Sequence, residues 1–518
     1  MSNEKIPIGI QDFEKMISNG YTYIDKTKWI YQLINQGASY FLSRPRRFGK
    51  SLLISTFEAL FSCKRHLFKN LWIDSSDYDW KEYPIIRLDM SGINNQTPEL
   101  FERSLIRTLV DLAKERGLVL SGETPSDYLG NLIDQMASNL SVVVLVDEYD
   151  KPIIDQLENI EAAKKNSDIL RRFYTILKVK DAKIKFLFLT GVTKFSKVSL
   201  FSGLNNLDHI SLSDSVASFL GLTEQEISDY YAKDIEHIAH ARGDSIDKVL
   251  KSLKWWYNGY RFSKSANSEK VYNPLSIMQF LKTGRIDNYW FSTATPTFAL
   301  KMIKEKEFPI TDFESSIIVG RSIDESYEID KIDLATLLYQ TGYLTISEYD
   351  EGAQRYFLKF PNEEVRRSFI DHLLQEFTSL SSSQSQPFLY QIERALKDED
   401  FDLFFHEFNT LLSSIPYSIQ IQKEAYYHAL LYAILRSLGF NVSAKVMTSR
   451  GRIDMVFFFN DAIFIFEFKM DSSAAIALAQ IKQQKYYEKF AGKRITLIGA
   501  NFDSASRSIS DWTLESVN

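Results

Sequence analysis

The sequence predicts an α/β protein of several domains, and three observations indicate this class. First, its 518 residues are too many for one hydrophobic core, so two to four domains are expected. Second, apolar runs alternate with helix-like segments over residues 1–215, a pattern typical of a parallel sheet with helices on both faces. Third, helical patterns dominate residues 216–386, whereas residues 387–518 predict the order αβββαβ.

Local periodicity defines the predicted elements of the first domain. Residues 142–146 are all apolar and mostly valine, which is typical of a strand buried on both faces of a sheet. Shorter runs predict strands at residues 40–43, 84–90 and 186–189, and an edge strand at residues 210–212. The segments between them predict helices at residues 51–61, 98–116, 125–139 and 166–179.

Turn signals organise the rest of the chain. In the middle domain they leave helical patterns and one small β-hairpin at residues 343–360. The Ser- and Gln-rich segment 379–386 ends at Pro387 and predicts a linker. Beyond it the pattern predicts helices at residues 387–412 and 422–438, strands at 441–447, 453–459 and 462–468, a helix at 474–490 and a strand at 494–498.

Composition narrows the class of protein. The chain is 45% hydrophobic and 25% charged, as is ordinary for a soluble globular protein. No apolar run approaches the roughly 18 residues that span a bilayer, and the first residues do not resemble a signal peptide, so a cytoplasmic protein is expected. Cys63 is the only cysteine, which excludes an intrachain disulfide and a cysteine-rich zinc site. The net charge of -6 gives no overall signature of nucleic-acid binding, although local basic clusters occur.

Charged residues mark two neighbouring strands near the C-terminal end. Asp454 lies at the start of one predicted strand, and Glu467 and Lys469 lie in the next. Because strand side chains alternate between faces, Glu467 and Lys469 must point the same way, and Asp454 joins them if the strands pair as a hairpin. Two carboxylates and an ammonium can hold a divalent cation and orient a water, which predicts a phosphodiesterase site. The alternative is an ion pair on a strand face.

A second pattern predicts a phosphate-binding loop. Gly49, Lys50 and Ser51 follow a predicted strand and open a predicted helix, which is the context that such a loop requires. Backbone N–H groups would face an anion there, Lys50 would bridge the outer phosphates, and the Ser51 hydroxyl would contact Mg²⁺. Arg44 occupies the position of the usual first glycine, so the motif is altered.

The acidic end of the strand at residues 142–146 strengthens this prediction. Asp147 would help to hold the magnesium, and Glu148 would polarise the attacking water. Thr190 follows the strand at residues 186–189, where a residue that senses the γ-phosphate is expected. The alternatives are an acidic strand end that caps the next helix, and a threonine that starts a turn with Gly191.

Longer motifs resemble the bacterial AAA-ATPase-like family. They are residues 8–13 (Ile-Gly-Ile-Gln-Asp-Phe), 23–27 (Tyr-Ile-Asp-Lys-Thr), 44–51 (Arg-Pro-Arg-Arg-Phe-Gly-Lys-Ser), 147–152 (Asp-Glu-Tyr-Asp-Lys-Pro), 256–260 and 272–274. The family's loop normally reads as residues 44–51 do, so the missing first glycine looks like a family trait. The resemblance implies a site for ATP and Mg²⁺ in which Arg46, Arg47 and Phe48 belong to the phosphate-binding loop.

The resemblance extends to the C-terminal region, because members of the family typically carry a PD-(D/E)XK nuclease domain. It implies that Asp454 and Glu467 are magnesium ligands, with the carbonyl of Phe468 as a third. It implies that Lys469 positions or activates the attacking water. Further residues match accessory positions of the site: Glu424 as another ligand, Gln480 as a polar neighbour, and Tyr487 on the same helix face as Gln480.

The expected function combines both regions. We predict a P-loop ATPase joined by a helical region to a Mg²⁺-dependent endo- or exodeoxyribonuclease, in which ATP gates, loads or remodels the DNA that is cut. Defence against foreign DNA fits this pairing by analogy. The expected partners are ATP and nucleic acid, DNA in the first place, with no membrane, and a homo-oligomer is left open. One rival is a signal-transducing regulatory ATPase whose C-terminal domain binds nucleic acid or partners without cleaving. Another is an interaction scaffold.

Overall fold

A computed structural model divides the chain into two compact units. One comprises residues 1–295 and 318–364, and the other comprises residues 296–317 and 365–518. The three-domain division with boundaries at residues 215 and 386 stays a prediction. The structure describes residues 5–194, 206–290, 300, 302–303, 317–320, 323, 333–415, 424–448, 451–459, 462–490 and 492–517.

A five-stranded parallel sheet forms the centre of the first unit. Its strands are β1 (Ser39–Ser43), β2 (Ile85–Asp89), β3 (Val142–Asp147), β4 (Ile184–Gly191) and β5 (Asp208–His209). They lie in the order β2-β3-β4-β1-β5, and all four pairs are parallel. Because the carboxyl ends of parallel strands meet at one edge, the loops after β1, β2, β3 and β4 lie together there.

The predicted edge strand at residues 210–212 is wrong. Those residues form a 3₁₀ turn, Ile210–Leu212, and the edge strand is the two-residue β5 just before it. The backbone N–H of Ser43 donates to the hydroxyl of Ser211 (2.9 Å), so a side chain takes the place of a backbone ladder bond. The apolar residues of this turn therefore mark core packing and not sheet pairing.

Helices separate the strands of the first unit, as predicted. They are α1 (Phe13–Ser18), α2 (Thr27–Gln36), α3 (Lys50–Phe61), α4 (Pro98–Lys114), α5 (Pro125–Met136), α6 (Lys151–Ile154) and α7 (Ile160–Val179). Thr97 and Thr124 cap α4 and α5, each with a proline in the first turn. Helix α7 begins earlier than predicted because the side chain of Asn159 accepts a hydrogen bond from Ala162 N and caps it.

The later part of the first unit is mainly helical, with two small sheets. Its helices are α8 (Glu224–Arg242), α9 (Ile246–Tyr257), α10 (Pro274–Thr283) and α11 (Leu334–Thr341). Strands β6 (Asn258–Tyr260) and β7 (Val271–Tyr272) form a ribbon, and β8 (Ile317–Val319), β9 (Thr345–Asp350) and β10 (Arg355–Lys359) form a sheet. Gly259 has φ +140°, and a Cβ atom there would lie 1.8 Å from the carbonyl oxygen of Pro361, so this position requires glycine.

The second unit places helices around a mixed five-stranded sheet. The strands are β11 (Asn441–Thr448), β12 (Gly451–Phe459), β13 (Ala462–Met470), β14 (Arg494–Asp503) and β15 (Ser508–Val517). They lie in sequential order, with β13 and β14 parallel and the other pairs antiparallel. The helices are α12 (Glu363–Thr378), α13 (Ser382–Lys397), α14 (Phe401–Ser414), α15 (Glu424–Ser437) and α16 (Ala474–Gln483). The first two residues of α12, Glu363 and Glu364, belong to the first unit. The predicted order αβββαβ is confirmed, and β15 extends it.

Two predictions for this unit are wrong. The segment 379–386 is not an irregular linker, because α13 begins within it at Ser382 and continues through Pro387, and Ser381 and Gln384 form a capping box at the start of this helix. The predicted helix at residues 474–490 ends at Gln483, since Lys485 has φ +51°, and a 3₁₀ turn follows. Within the described part of the chain, no helix is long and apolar enough to cross a membrane.

Candidate functional site

The phosphate loop, residues 44–49, joins β1 to α3 at the carboxyl edge of the first sheet. Gly49 directly precedes α3 and has φ +91°, a left-handed conformation that glycine adopts without strain. The helix therefore starts with N–H groups that have no partner within the helix, at the positive end of its dipole. That end suits an anion such as a phosphate group.

Lys50 is turned toward its own loop. Its Nζ atom donates to the carbonyl oxygens of Arg44 (2.9 Å) and Pro45 (3.0 Å). Burial lowers the pKa of Lys50, whereas the carboxylates of Asp147 and Glu148 oppose this effect. A buried ammonium that is held by backbone carbonyl groups can exchange them for phosphate oxygens.

Arg44, in the position of the usual first glycine, holds the loop from behind. Its guanidinium group donates to the carbonyl oxygens of Ser43 (2.9 Å), Ser211 (2.7 Å) and Val216 (3.1 Å), and it lies 4.1 Å from the ring centroid of Phe262. The side chain is 1% exposed. Arg44 therefore fixes the loop to residues 211–216, which explains why an arginine can stand here.

The acidic strand end lies beside this loop. Asp147 is 1% exposed, and its Oδ1 atom accepts hydrogen bonds from Thr190 Oγ1 (2.6 Å) and Glu148 N (3.0 Å). Glu148 has φ +49°, a strained conformation for a residue with a side chain. Burial raises the pKa of Glu148, and the positive charge of Lys50 opposes the rise.

One cavity of about 490 Å³ brings these groups together. Its volume lies within the ordinary range for small-molecule sites. The predicted residues that line it are Arg46, Arg47, Phe48, Gly49, Lys50, Ser51, Asp147 and Glu148. Thr190 is fully buried and does not line the cavity, and its role in sensing the γ-phosphate stays a prediction. Its hydroxyl donates to Asp147, through which it can act on the site.

Two further acidic residues were missed: Asp89, which lines the cavity, and Asp150, which does not. Asp89 ends β2, pairs in register with Asp147, and lines the cavity. Asp150 is buried and accepts hydrogen bonds from Val192 N (3.0 Å) and from Thr193 N and Oγ1 (both 2.6 Å), which fixes the loop after β4. An apolar strand that ends in aspartate was the available signal for Asp89. Nothing in the sequence distinguished Asp150 from a helix cap.

In the second unit, the hairpin of β12 and β13 carries the other predicted site. Met455 pairs with Phe466, so Asp454 and Glu467 are neighbours across the two strands. The Asp454 carboxylate accepts a hydrogen bond from Phe468 N (3.0 Å). Glu467 Oε1 accepts hydrogen bonds from Lys469 Nζ (3.2 Å) and from the side-chain amide of Gln480 on α16. The structure therefore brings Asp454, Glu467, Lys469 and Gln480 together.

The electrostatics of Glu467 suit a cation. The residue is 1% exposed, and burial raises its pKa to about 7, with a further rise from the Asp454 carboxylate and an opposing effect from Lys469. Its Oε2 atom is buried and has no hydrogen-bond partner among the described residues. A buried carboxylate oxygen without a partner, beside a second carboxylate, fits a hard divalent cation such as Mg²⁺.

The ligand set on the described residues is small. They contain no group of three or more His, Cys, Asp and Glu side chains that could hold a metal ion. Glu424 begins α15, and its side chain lies outside the described part of the chain. Among the described residues, the carboxylates of Asp454 and Glu467 are therefore the acidic groups that meet at this site.

A histidine and a tyrosine change the predicted surroundings of this site. His428, one turn beyond Glu424 on α15, places its Nε2 atom 4.0 Å from Asp454 Oδ2, and sequence reasoning missed it. Because His428 lies far from residues 454–469 in the sequence, no sequence motif linked it to this site. Tyr487 does not share a helix face with Gln480, because α16 ends first, and its ring packs on the core cluster around Ile481 and Leu497.

Comparisons with known proteins identify a family for the N-terminal region of the chain and a superfamily for its C-terminal region. A family model described as "Predicted AAA-ATPase" matches residues 7–201, and a model of the PD-(D/E)XK nuclease superfamily matches residues 422–512. A relative from Azotobacter chroococcum mcd 1, named "uncharacterized protein in vnfD 5′ region", is 36% identical over 532 residues, which cover 100% of each chain. The chain therefore belongs to the AAA-ATPase-like family and carries a domain of the PD-(D/E)XK nuclease superfamily in its C-terminal region.

Proposed function

We propose that the protein binds and hydrolyses ATP with Mg²⁺ at the cavity of the first unit. We propose that it also cleaves nucleic acid with Mg²⁺ at the site of the second unit, and that DNA is its main substrate. The observation that carries the nuclease half is the buried Glu467, whose unpartnered oxygen lies beside Asp454 and Lys469. The observation that supports the ATPase half is the shared cavity of Lys50, Asp147 and Glu148.

At the nucleotide site, each residue would have a distinct role. The first N–H groups of α3 and the Lys50 ammonium bind the phosphate groups. Ser51 and Asp147 would hold Mg²⁺, which when bound neutralises charge on the phosphate oxygens. Glu148, with its raised pKa, would orient the attacking water and take its proton. Thr190 keeps the Asp147 carboxylate in position through their 2.6 Å hydrogen bond.

At the nuclease site, Asp454 and Glu467 would hold Mg²⁺ with the Phe468 carbonyl. The bound cation would lower the pKa of a coordinated water and neutralise charge at the scissile phosphate. The Lys469 ammonium, 3.2 Å from Glu467, adds positive charge next to the ligands and would position the attacking water. The side-chain amide of Gln480 fixes the Glu467 carboxylate.

A cleavage assay tests the nuclease half. Labelled single- and double-stranded DNA and RNA are incubated with the full chain, with and without Mg²⁺ and ATP. Asp454→Ala and Glu467→Ala should lose both cleavage and metal binding. Lys469→Ala should still bind the metal but should cleave nucleic acid much more slowly. Because these residues act as a unit, a double variant should be scarcely worse than a single one.

Matched controls come from the surface of the same sheet and helix. Lys482 on α16 and Glu515 on β15 form an exposed ion pair at 2.8 Å, unlike the buried Glu467 of the proposed metal site. Lys482→Ala and Glu515→Ala should therefore leave cleavage unchanged. Metal-dependent cleavage that persists undiminished in Asp454→Ala and Glu467→Ala would refute the nuclease proposal.

We further propose that ATP gates the cleavage and that the protein defends a cell against foreign DNA. Support for the gating lies in the presence of both domains on one chain, and support for the defence role lies in analogy with such domain pairs. A challenge of expressing cells with phage or plasmid DNA tests the role, and equal protection by Glu467→Ala would contradict it.

A regulatory ATPase that does not cleave is the second candidate. In this candidate, Asp454 and Glu467 would form part of a nucleic-acid surface and would not hold a catalytic cation. In this case the second unit would bind nucleic acid with equal affinity in the wild type and in Glu467→Ala, and neither would cut. The cleavage assay above separates the two functions.

A further inference from the structure

We propose that Arg46 is a catalytic residue of the nucleotide site, and that its guanidinium group supplies, within the same chain, the positive charge that some nucleotide hydrolases take from a partner protein. This inference rests on the ATP hydrolysis proposed above. Its consequence is that each chain hydrolyses ATP without an arginine from a second copy.

The cationic side chains around the cavity differ in how they are bound. Among the described residues, those that line the cavity and carry such a side chain are Lys26, Arg46, Arg47, Lys50 and Lys151. Lys26 and Lys151 each form an ion pair with a carboxylate. Lys50 is bound by carbonyl groups of its loop, and Arg47 has an interaction of its own. The guanidinium group of Arg46 has no hydrogen bond or ion pair within the described part of the chain, so its N–H donors are available to an anion.

The backbone of Arg46 is held in place by the later part of the first unit. Its carbonyl oxygen accepts hydrogen bonds from Trp290 Nε1 (3.1 Å) and Asn273 Nδ2 (3.4 Å), and both of these residues are fully buried. Pro45 packs directly on Gly342, where a Cβ atom would lie 2.6 Å from the Cβ atom of Pro45. A charge that is fixed in advance stabilises a transition state better than one that must first move into place.

The position of Arg46 in the loop suits the outer phosphates of ATP. Lys50, which reaches the outer phosphates in loops of this kind, donates to the carbonyl oxygens of the two residues directly before Arg46. Burial lowers the pKa of Lys50, and the nearby positive charge of Arg46 lowers it further. Two cations on one cavity wall repel each other, and a bound triphosphate would relieve this repulsion.

The step that Arg46 would assist is the transfer of the γ-phosphoryl group to water. The oxygen of the water forms a bond to the γ-phosphorus, and Glu148 takes the proton. The bond from the γ-phosphorus to the bridging oxygen breaks and leaves its electron pair on ADP, so the products are ADP and inorganic phosphate. Negative charge spreads over the γ-phosphoryl oxygens in the transition state. The planar guanidinium group of Arg46 can donate two parallel hydrogen bonds to such oxygens.

Kinetics and calorimetry of the full chain test the inference. Arg46→Ala should lower kcat for ATP about 1,000-fold, the effect of losing such an arginine, and should bind Mg-ADP as the wild type does. Aluminium fluoride should bind together with Mg-ADP to the wild type but not to Arg46→Ala, because this complex imitates the transition state. The wild-type turnover per chain should stay constant on dilution, a measurement that needs no variant.

The control is Arg107→Ala, at an exposed position of α4 that does not line the cavity. It should keep the wild-type kcat, and thermal unfolding of each variant reports its folding. An unchanged kcat in Arg46→Ala overturns the inference. An equal loss of kcat and of Mg-ADP affinity also overturns it, since this would indicate a role in binding or structure.

A wild-type turnover per chain that falls on dilution would indicate that a second copy supplies the arginine, and it likewise overturns the inference. A wild type that does not hydrolyse ATP contradicts the proposed ATPase itself, and the role of Arg46 with it. A wild type that hydrolyses ATP beside an equally active Arg46→Ala contradicts only the role of Arg46.

Discussion

Replacing Glu364 by glutamine should remove a pH dependence from the stability of the first unit. The Glu364 carboxyl group is buried, and it accepts hydrogen bonds from Trp290 N (2.8 Å) and Ser276 Oγ (2.8 Å). Burial is the main cause that raises its pKa from 4.5 to about 7, against these hydrogen bonds, which lower it. Trp290 Nε1 in turn donates to the carbonyl oxygen of Arg46 (3.1 Å), so this carboxyl group supports the phosphate loop.

The size and sign of the effect follow from the two pKa values. Between pH 4.5 and about 7 the folded protein keeps Glu364 protonated, whereas the unfolded chain does not. The folded state then binds more protons, so the free energy of unfolding falls as the pH rises. The stabilisation is fully present below pH 4.5 and is lost as the pH rises through about 7. The total loss is about 3 kcal/mol.

Urea unfolding, followed by tryptophan fluorescence between about pH 5 and pH 8, measures this loss. Glu364→Gln keeps a hydrogen-bonding side chain of the same shape but cannot ionise, so its stability should fall by less over this range. Glu351→Gln, at an exposed position of the hairpin turn after β9, is the control and should follow the wild type. Parallel pH profiles for the wild type and Glu364→Gln would refute the reasoning.

Four more outcomes are expected. Lys50→Ala should lose ATP binding in calorimetry. In the full chain this variant should still cleave, but ATP should no longer change the cleavage rate. A wild-type cleavage rate that ATP does not change would contradict the gating. Thr190→Val removes the hydroxyl that orients Asp147, so Mg²⁺-dependent ATP turnover should fall about tenfold or more, and unchanged turnover would exclude this role. His428→Gln should slow cleavage with little change in thermal stability, whereas equal loss of both would indicate a purely structural residue. Gly259→Ala should destabilise the protein by about 3 kcal/mol in urea unfolding, because its Cβ would overlap a carbonyl oxygen.

The amino-acid sequence by itself determined the elements whose signal is local. The valine-rich run before Asp147 identified a buried strand, and the apolar runs around Asp454 and Glu467 identified a strand pair, because a strand alternates its side chains whatever surrounds it. Gly49 before Lys50 marked a helix start, because a glycine in the left-handed conformation and the turn that it allows involve only neighbouring residues. These elements carry most of the proposed catalytic residues.

Elements with a weak local signal were missed or misread. Strand β15 has a single fully buried residue, Ile509, so it lacks the apolar run by which strands were recognised. Residues 210–212 have that run but form a turn, because a hydroxyl group from Ser211 satisfies the backbone of β1. Segment 379–386 has the composition of a linker, yet its Ser381 and Gln384 are also good capping residues, and the helix was decided by those contacts.

Only the tertiary structure decided which distant residues meet. Arg44 bonds to residues 211–216, Thr190 turns to Asp147, and His428 approaches Asp454, although nothing in the local sequence joins these partners. The cavity likewise takes its walls from segments 7–26, 46–56 and 219–278, which the chain brings together by packing. The periodicity of a sequence shows only which face of its own helix or strand a residue occupies. The burial of Glu364 and Glu467 depends on all the elements that exclude water around them, and this burial raises their pKa values.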